Sequence, residues 1–264
     1  MSDAASDRSS AENAATDRRS ADVGIVCVHN GEVGRFLKRL DRRRKYVDQN
    51  IAYRGGFLNE TIRVAIAEAG TGFSRHRTAT QTLIAEHHPA WVISVGFSSS
   101  LSPELNAGDL SLASEITDTH GNLRTLKCPI PESRRVLVRR HLVADQHPST
   151  PADKQKLAAE TSAFAVDTTS LAVAQVCDER GTRFLSIRAI IDGLAEDVPS
   201  DAFSMIFHRN SRAVGGLLGG LVRNLKRAPE LNQWRKRTDE AASHLDRFLS
   251  GVIVQLAEHL AKRS

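Results

Sequence analysis

The stretch Asp22-Val-Gly-Ile-Val-Cys-Val28 is a continuous apolar run of the length of a β-strand. Because such a strand is apolar on both faces, the run predicts a central strand that is covered on both sides rather than an edge strand. Two further runs of this kind follow, at Ala90–Gly96 and Phe184–Ile191. Together the three runs predict the buried middle of a sheet.

Segments with helical spacing of apolar residues lie between these strands. Helices are predicted at Glu32–Leu40, Phe73–His88 and Ser170–Arg180. Near the C-terminus, apolar residues recur at helical spacing and predict a helix packed on the body; they are Leu245, Phe248, Leu249, Val252, Leu256 and Leu260. Strands that alternate with helices predict an α/β protein, a three-layer αβα arrangement around a central mixed, largely parallel sheet.

The remaining segments complete the predicted organisation. Ser98–Ser100 is interpreted as a loop of small residues, Arg42–Lys45 as a solvated turn, and Val136–Val143 as a basic amphipathic helix. Residues 1–21 are rich in Ser, Ala, Asp and Arg and contain no Leu, Ile, Val or aromatic residue, so they predict a disordered tail. Residues 22–264 are then expected to form a single domain.

The composition restricts the classes of protein and partner. The chain has 264 residues, a formal net charge of +5, 41% hydrophobic residues and only 5% aromatic residues. These values are typical of a globular protein and argue against a fibrous or fully disordered one. Aromatic residues are too sparse for a base-stacking platform, so no nucleic-acid partner is predicted.

The cysteines and the glycine-rich C-terminal stretch predict no cofactor and no spanning helix. Cys27, Cys128 and Cys177 are far apart and lack metal-ligand spacing, so no metal or cofactor and a reducing cytoplasm are expected. Two glycine pairs, Gly215-Gly216 and Gly219-Gly220, lie in an apolar stretch that is too short to span a bilayer. Membrane-surface association is a weaker alternative to close packing of this stretch on the sheet.

Polar residues at three strand ends predict one site. In open α/β sheets ligands bind beyond the carboxyl ends of the strands, which here brings together His29–Glu32, Gly96–Ser100 and Arg188–Asp192. Arg188 lies in an otherwise apolar strand, and a buried arginine needs an anionic partner.

The order of these pieces resembles the nucleoside phosphorylase and nucleosidase family, which includes methylthioadenosine/S-adenosylhomocysteine nucleosidases. The matching pieces are Gly24-Ile-Val with Glu32-Val33, Gly70-x-Gly72, Val95-Gly96 through Gly108-Asp109, Ala165-Val-Asp167, and Arg188-Ala-Ile-Ile-Asp192. Pro151-Ala-Asp-Lys154 and Trp234-x-x-Arg237 further resemble a bacterial phosphorylase branch associated with hopanoid metabolism. The resemblance implies cleavage of the N-glycosidic bond of a purine-type nucleoside, by water or by phosphate as a co-substrate, in a homo-oligomer.

The resemblance assigns a role to three residues, and each has a simpler alternative. Asp192 matches the general acid that protonates the leaving base, but an Asp at this place can also cap the next segment. Glu32 matches the carboxylate that orients the attacking water, whereas alone it would be a first-turn residue favoured by the helix dipole. Arg188 matches an arginine near the nucleophile, and its alternative role is a structural ion pair.

The family pattern also suggests binding residues, with two departures. Phe97, Ser98, Asp167, Thr168 and Thr169 match substrate-binding positions. Thr168 and Thr169 replace a Met-Glu pair whose Glu holds the ribose hydroxyls, and Phe97 replaces a small residue beside the nucleophile. These departures keep open the alternative of a catalytically impaired nucleoside-binding protein.

A phosphate site is suggested by the glycine turn before the second predicted helix. Gly72 presents a helix N-terminus, which is a natural site for an anion. Arg75 and Arg77 lie in the first turns of that helix and could supply charge-assisted hydrogen bonds. A solvated helix face is the alternative for each arginine taken singly.

Overall fold

The computed structural model describes residues 20–199 and 219–261, with the side chains of 219–231 and 261 left undescribed. The predicted tail therefore lies almost wholly outside the described residues, as do Gly215 and Gly216. The strands of the described part are β1 (Val23–Cys27), β2 (Asp41–Asp48), β3 (Ile51–Leu58), β4 (Ile62–Glu68), β5 (Trp91–Ser100), β6 (Leu110–Asp118), β7 (Leu123–Thr125), β8 (Val136–Val143), β9 (Ala165–Asp167) and β10 (Arg183–Asp192). The helices are α1 (Asn30–Leu37), α2 (Phe73–His87), α3 (Pro151–Thr161), α4 (Ser170–Glu179) and α5 (Gly219–Ala261).

The first apolar run forms the central strand that the sequence predicts. All five residues of β1 are buried, and β1 pairs in parallel with β4 on one side and β5 on the other. Helices α1 and α5 pack on one face of the sheet, where Phe36, Ile187 and Leu249 share a core. Helices α2 and α4 pack on the other face, where Leu83 and Val176 share a second core.

The sheet is mixed, as the sequence predicts, but part of it closes on itself, so the finer expectation of a largely parallel three-layer arrangement is not confirmed. Among the described strands, five pairings are parallel and five are antiparallel. Strands β5, β9, β8, β6 and β10 pair in a ring, and β1, β4, β3 and β2 extend from β5. The protein is therefore an α/β fold that contains a closed barrel rather than an open sheet.

Strand β8 closes this ring, and the sequence prediction of a helix at Val136–Val143 is wrong. The basic residues in the middle of β8 pair with acids on neighbouring segments instead of marking a solvated helix face. Arg140 lies 2.8 Å from Glu115 of β6, and Arg139 pairs with Glu132. Arg42–Lys45 likewise is not a turn but lies in β2, an exposed edge strand whose charges disfavour pairing with another chain.

The stripe of apolar residues near the C-terminus packs as predicted. Leu245, Leu249, Val252 and Leu256 of α5 are buried in the core beneath the sheet. Within the described part of the chain, no helix combines the length and the apolar character needed to cross a membrane.

Candidate functional site

Glu32 is a buried carboxylate at the start of α1. It forms a capping box with His29, and its Oε2 accepts hydrogen bonds from the backbone N–H groups of Val28 (2.8 Å) and His29 (3.2 Å). Its Oε1 lies 3.4 Å from the backbone nitrogen of Phe97 in the C-terminal half of β5. Burial raises the pKa of Glu32 to about 7, because these hydrogen bonds and the charge of Arg188 offset only part of the desolvation. Glu32 thus serves as a cap and remains a carboxyl group able to exchange a proton near neutral pH.

Gly96, in the middle of β5, allows Glu32 and Arg188 to approach each other. A Cβ atom at position 96 would lie 3.1 Å from Glu32 Oε1 and 3.8 Å from the Arg188 guanidinium carbon. A contact of 3.1 Å leaves no room for a methyl group unless the carboxylate moves.

Replacing Gly96 with Ala is therefore expected to lower the free energy of unfolding by about 1–3 kcal/mol, as overpacking of a core does. The control is Gly251→Ala, because Gly251 is an exposed helical residue with no atom within 4 Å of the added Cβ. That control should be neutral or more stable, since Ala favours a helix over Gly by up to about 1 kcal/mol. Urea unfolding of the two variants checks this, and equal effects would contradict the close approach at Gly96.

Arg188 and Asp167 form a buried ion pair behind Glu32. Arg188 Nε lies 3.1 Å from Asp167 Oδ2, and the guanidinium also donates to the carbonyl and hydroxyl oxygens of Ser94. Asp167 accepts from the N–H groups of Thr169 and Ser170 and from the Ser170 hydroxyl. Burial alone would raise the pKa of Asp167, but Arg188 and these donors hold it well below its usual range. The anionic partner that the sequence demands for Arg188 is thus Asp167.

Asp192 is the last residue of β10 and is fully buried. A β-bulge between Ile190 and Asp192 shifts the register, so that Asp192 lies opposite Ser99 of β5. Ser99 Oγ donates to Asp192 Oδ1 at 2.9 Å, and Lys154 Nζ lies 2.5 Å from Oδ2. Burial raises the pKa of Asp192 to about 6, with Lys154 and Ser99 opposing that rise and Glu196 adding to it.

The residues after Gly96 continue β5, so the predicted loop at Ser98–Ser100 is wrong. Ser98 Oγ donates to the Val166 carbonyl at 2.7 Å, and Ser100 Oγ donates to the Ser102 carbonyl at 2.7 Å. Of the three serines, Ser99 is the one that contacts a candidate catalytic carboxyl group. The Phe97 side chain belongs to the core that lies under α1 and α5.

The residues predicted to hold ribose and phosphate lie at the N-terminal ends of α2 and α4. Thr169 is the N-cap of α4, and Thr168 lines a cavity of about 510 Å³ together with Gly72 at the start of α2. Arg75 donates to the carbonyls of Ala69 and Asn50, while Arg77 binds Gln175 and Glu179 of α4. Both guanidinium groups therefore have protein partners, and these contacts do not support the predicted phosphate site.

Sequence reasoning missed two contacts of Asp192, those of Ser99 and Lys154. The composition of Ser98–Ser100 predicts a loop, and no short-range signal reveals that a bulge brings Ser99 opposite Asp192. The sequence offers Lys154 only within the Pro151–Lys154 pattern, although a buried lysine must have a negative partner. The described residues contain no group of three or more His, Cys, Asp or Glu side chains that could hold a metal ion.

Comparisons with known proteins agree with this architecture. A family model described as "Phosphorylase superfamily" matches residues 22–146 and 141–225. A search of curated protein sequences finds no match. A methylthioadenosine/S-adenosylhomocysteine nucleosidase from Colwellia psychrerythraea, solved with adenine, superposes with a TM-score of 0.66 at 18% identity, covering 90% of this chain and 96% of that one.

Two Helicobacter pylori structures are also similar. An Asp-to-Asn mutant of the nucleosidase of the same name, with 5′-methylthioadenosine in its active site, has a TM-score of 0.62 at 16% identity and covers 87% of this chain and 98% of its own. Futalosine hydrolase has a TM-score of 0.61 at 17% identity and covers 85% of this chain and 95% of its own. At these identities the likeness establishes the fold.

Proposed function

Because the chain belongs to the phosphorylase superfamily, we propose that it hydrolyses the N-glycosidic bond of a purine-type nucleoside. One observation carries the proposal: two buried carboxyl groups, Glu32 and Asp192, contact Phe97 and Ser99 in the C-terminal half of β5, and burial raises the pKa of both. A pair of carboxyl groups of this kind can supply one base and one acid near neutral pH.

The reaction needs a proton at the base and a nucleophile at the sugar. Asp192 gives its proton to a ring nitrogen of the leaving purine, which takes the electron pair of the breaking C–N bond. Water attacks the anomeric carbon, and Glu32 accepts the proton that this water loses. The products are the free base and the free sugar. The sugar keeps the oxygen and one hydrogen of the water as its new hydroxyl group, and Glu32 holds the other hydrogen as a proton.

Water is favoured over phosphate as the nucleophile by the contacts of the arginines. Arg75 and Arg77 are already bound to protein oxygens, and Arg188 is paired with Asp167. Glu32 carries a carboxylate that would repel a phosphate dianion but can orient water. The structures of similar fold include nucleosidases and a futalosine hydrolase, which is consistent with hydrolysis.

The test is release of the free base from methylthioadenosine, S-adenosylhomocysteine, adenosine and inosine, each with and without phosphate. Chromatography should show release from at least one of them that does not require phosphate. Release that depends on phosphate would instead indicate a phosphorylase. Binding without release from any of them would favour a nucleoside-binding protein, in line with the Thr168-Thr169 pair that replaces Met-Glu.

Glu32→Gln should reduce kcat by about 10²–10⁴-fold, the range expected when a general base is lost. The activity of the wild-type protein should rise with pH as Glu32 ionises and fall as Asp192 loses its proton, giving a bell-shaped profile of kcat/KM. The variant should lose the rising limb, because glutamine does not titrate. Glu160→Gln is the control, since Glu160 is an exposed residue of α3. A rising limb that persists in Glu32→Gln would remove Glu32 from the mechanism.

A further inference from the structure

Lys154 is a buried lysine on a helix that is otherwise half-buried or exposed. Its side chain is 0% exposed, whereas that of Lys156, two residues further along α3, is 72% exposed. Lysine is almost never fully buried unless it is paired. The ammonium group of Lys154 therefore lies in the protein interior, beside Asp192.

Three oxygen atoms surround the ammonium group. Lys154 Nζ donates to the carbonyls of Gly193 and Glu196, both at 2.7 Å, and forms an ion pair with Asp192 Oδ2 at 2.5 Å. Two of the three N–H donors of this fully buried ammonium group are taken by the carbonyls, and its charge faces Asp192 Oδ2 rather than a substrate. Any effect of Lys154 on a bound nucleoside must therefore pass through Asp192.

We propose that Lys154 is a positioning residue for the candidate acid, holding Asp192 Oδ2 and stabilising the carboxylate that remains after Asp192 gives its proton to the leaving base. This inference rests on the proposed hydrolysis of a nucleoside. Because Oδ2 faces the ammonium group, the transferable proton resides on Oδ1, beside the Ser99 hydroxyl. Lys154 keeps its three protons throughout, and the proton that reaches the base comes from Asp192 alone.

A purely structural role for Lys154 would be to hold the turn that follows β10. That turn has other supports: Arg237 pairs with Glu196 at 2.6 Å, Gly193 N–H donates to Glu196 Oε2, and Val198 N–H donates to the Ser149 carbonyl. Among the described residues, the groups that act on Asp192 are Lys154 from α3, Glu196 from the turn and Ser99 from β5. Since Arg237 neutralises Glu196, Lys154 is the dominant charge acting on Asp192.

The experiment compares Lys154→Met with Lys156→Met, which changes an exposed lysine of the same helix. The titration of Asp192 is followed in the substrate-free protein by ¹³C NMR of labelled Asp carboxyl groups, with the Asp192 signal assigned by its absence in Asp192→Asn. Removing an opposite charge at this distance should raise the titration midpoint of Asp192 by about 1–3 pH units. The maximum of the kcat/KM profile should move to higher pH by about half of that shift. Lys156→Met should leave both unchanged.

The outcomes separate the role of Lys154 from the proposed function. An unchanged midpoint in Lys154→Met, with an active wild-type protein, overturns the role of Lys154 and leaves the hydrolysis standing. A wild-type protein that releases no base overturns the proposed function and the catalytic role of Lys154 and Asp192, even if the titration midpoint of Asp192 rises in Lys154→Met. If Lys154→Met does not fold, Lys154→Gln removes the charge and keeps two N–H donors for the carbonyls, and the same rise in midpoint is expected.

Discussion

Asp192→Asn should reduce kcat by about 10²–10⁴-fold, because asparagine has the shape of the candidate acid but no acidic proton to give. The amide oxygen can still accept from Ser99, which lies 2.9 Å from Oδ1, so binding of the nucleoside should persist. Base release under single-turnover conditions measures the loss directly, and equilibrium binding of the intact nucleoside measures what remains. A variant within tenfold of the wild-type kcat would exclude Asp192 as the acid.

Loss of folding must be separated from loss of the acid in this experiment. Asp192→Asn leaves the buried ammonium group of Lys154 without its counter-charge, and breaking a buried pair from one side costs about 3–5 kcal/mol. The double variant Asp192→Asn/Lys154→Met removes both charges and should regain most of that stability. It should remain as inactive as the single variant, because stability without the carboxylic acid does not restore proton transfer.

The sequence could predict those site residues that lie at or near the ends of the predicted central strands. β1 was predicted as a central strand because it is apolar on both faces, and parallel neighbours align their carboxyl ends at one edge of a sheet. That argument brings together Glu32, which follows β1, with Arg188 and Asp192, which lie on β10, because β1 and β10 both pair in parallel with β5. The need of a buried arginine for an anion is also satisfied, by Asp167.

What the sequence could not predict depends on long-range pairing. The basic run in β8 has ambiguous periodicity, and the acids that satisfy it, such as Glu115, are brought close only by the closed barrel. Ser98–Ser100 have the composition of a loop, yet β9 and β10 flank them and continue the strand. The bulge that places Asp192 opposite Ser99 is a property of the paired strands. Neither strand alone carries its signal.

The difference between local sequence signals and long-range contacts also explains why the roles of the binding residues stay predictions. The family pattern matches Thr168, Thr169 and Gly72 by position, whereas the contacts of a side chain depend on its neighbours in space. Thr169 occupies the N-cap position of α4 without a side-chain cap hydrogen bond, and Thr168 shares a cavity with Gly72 whose lining does not include Glu32 or Asp192. The same cavity is thus lined by Thr168, which the sequence assigns to ribose binding, and by Gly72, which it assigns to phosphate binding.

Asp167→Asn should lower the free energy of unfolding by about 3–5 kcal/mol, because it leaves Arg188 buried without a counter-charge. Glu179→Gln is the matched control, since it breaks the half-exposed pair with Arg77, and pairs of that kind contribute about 0–1 kcal/mol. Urea unfolding of the two variants at neutral pH should show this difference.

The pH dependence of the wild-type protein gives a second check, because Arg188 holds the pKa of Asp167 below its usual range. The stabilisation from the ionised Asp167 is fully present above the ordinary carboxyl pKa, and it is lost only as pH falls through the lowered pKa of Asp167. Equal losses in the two variants would mean that the buried pair contributes no more to the free energy of unfolding than a surface pair does.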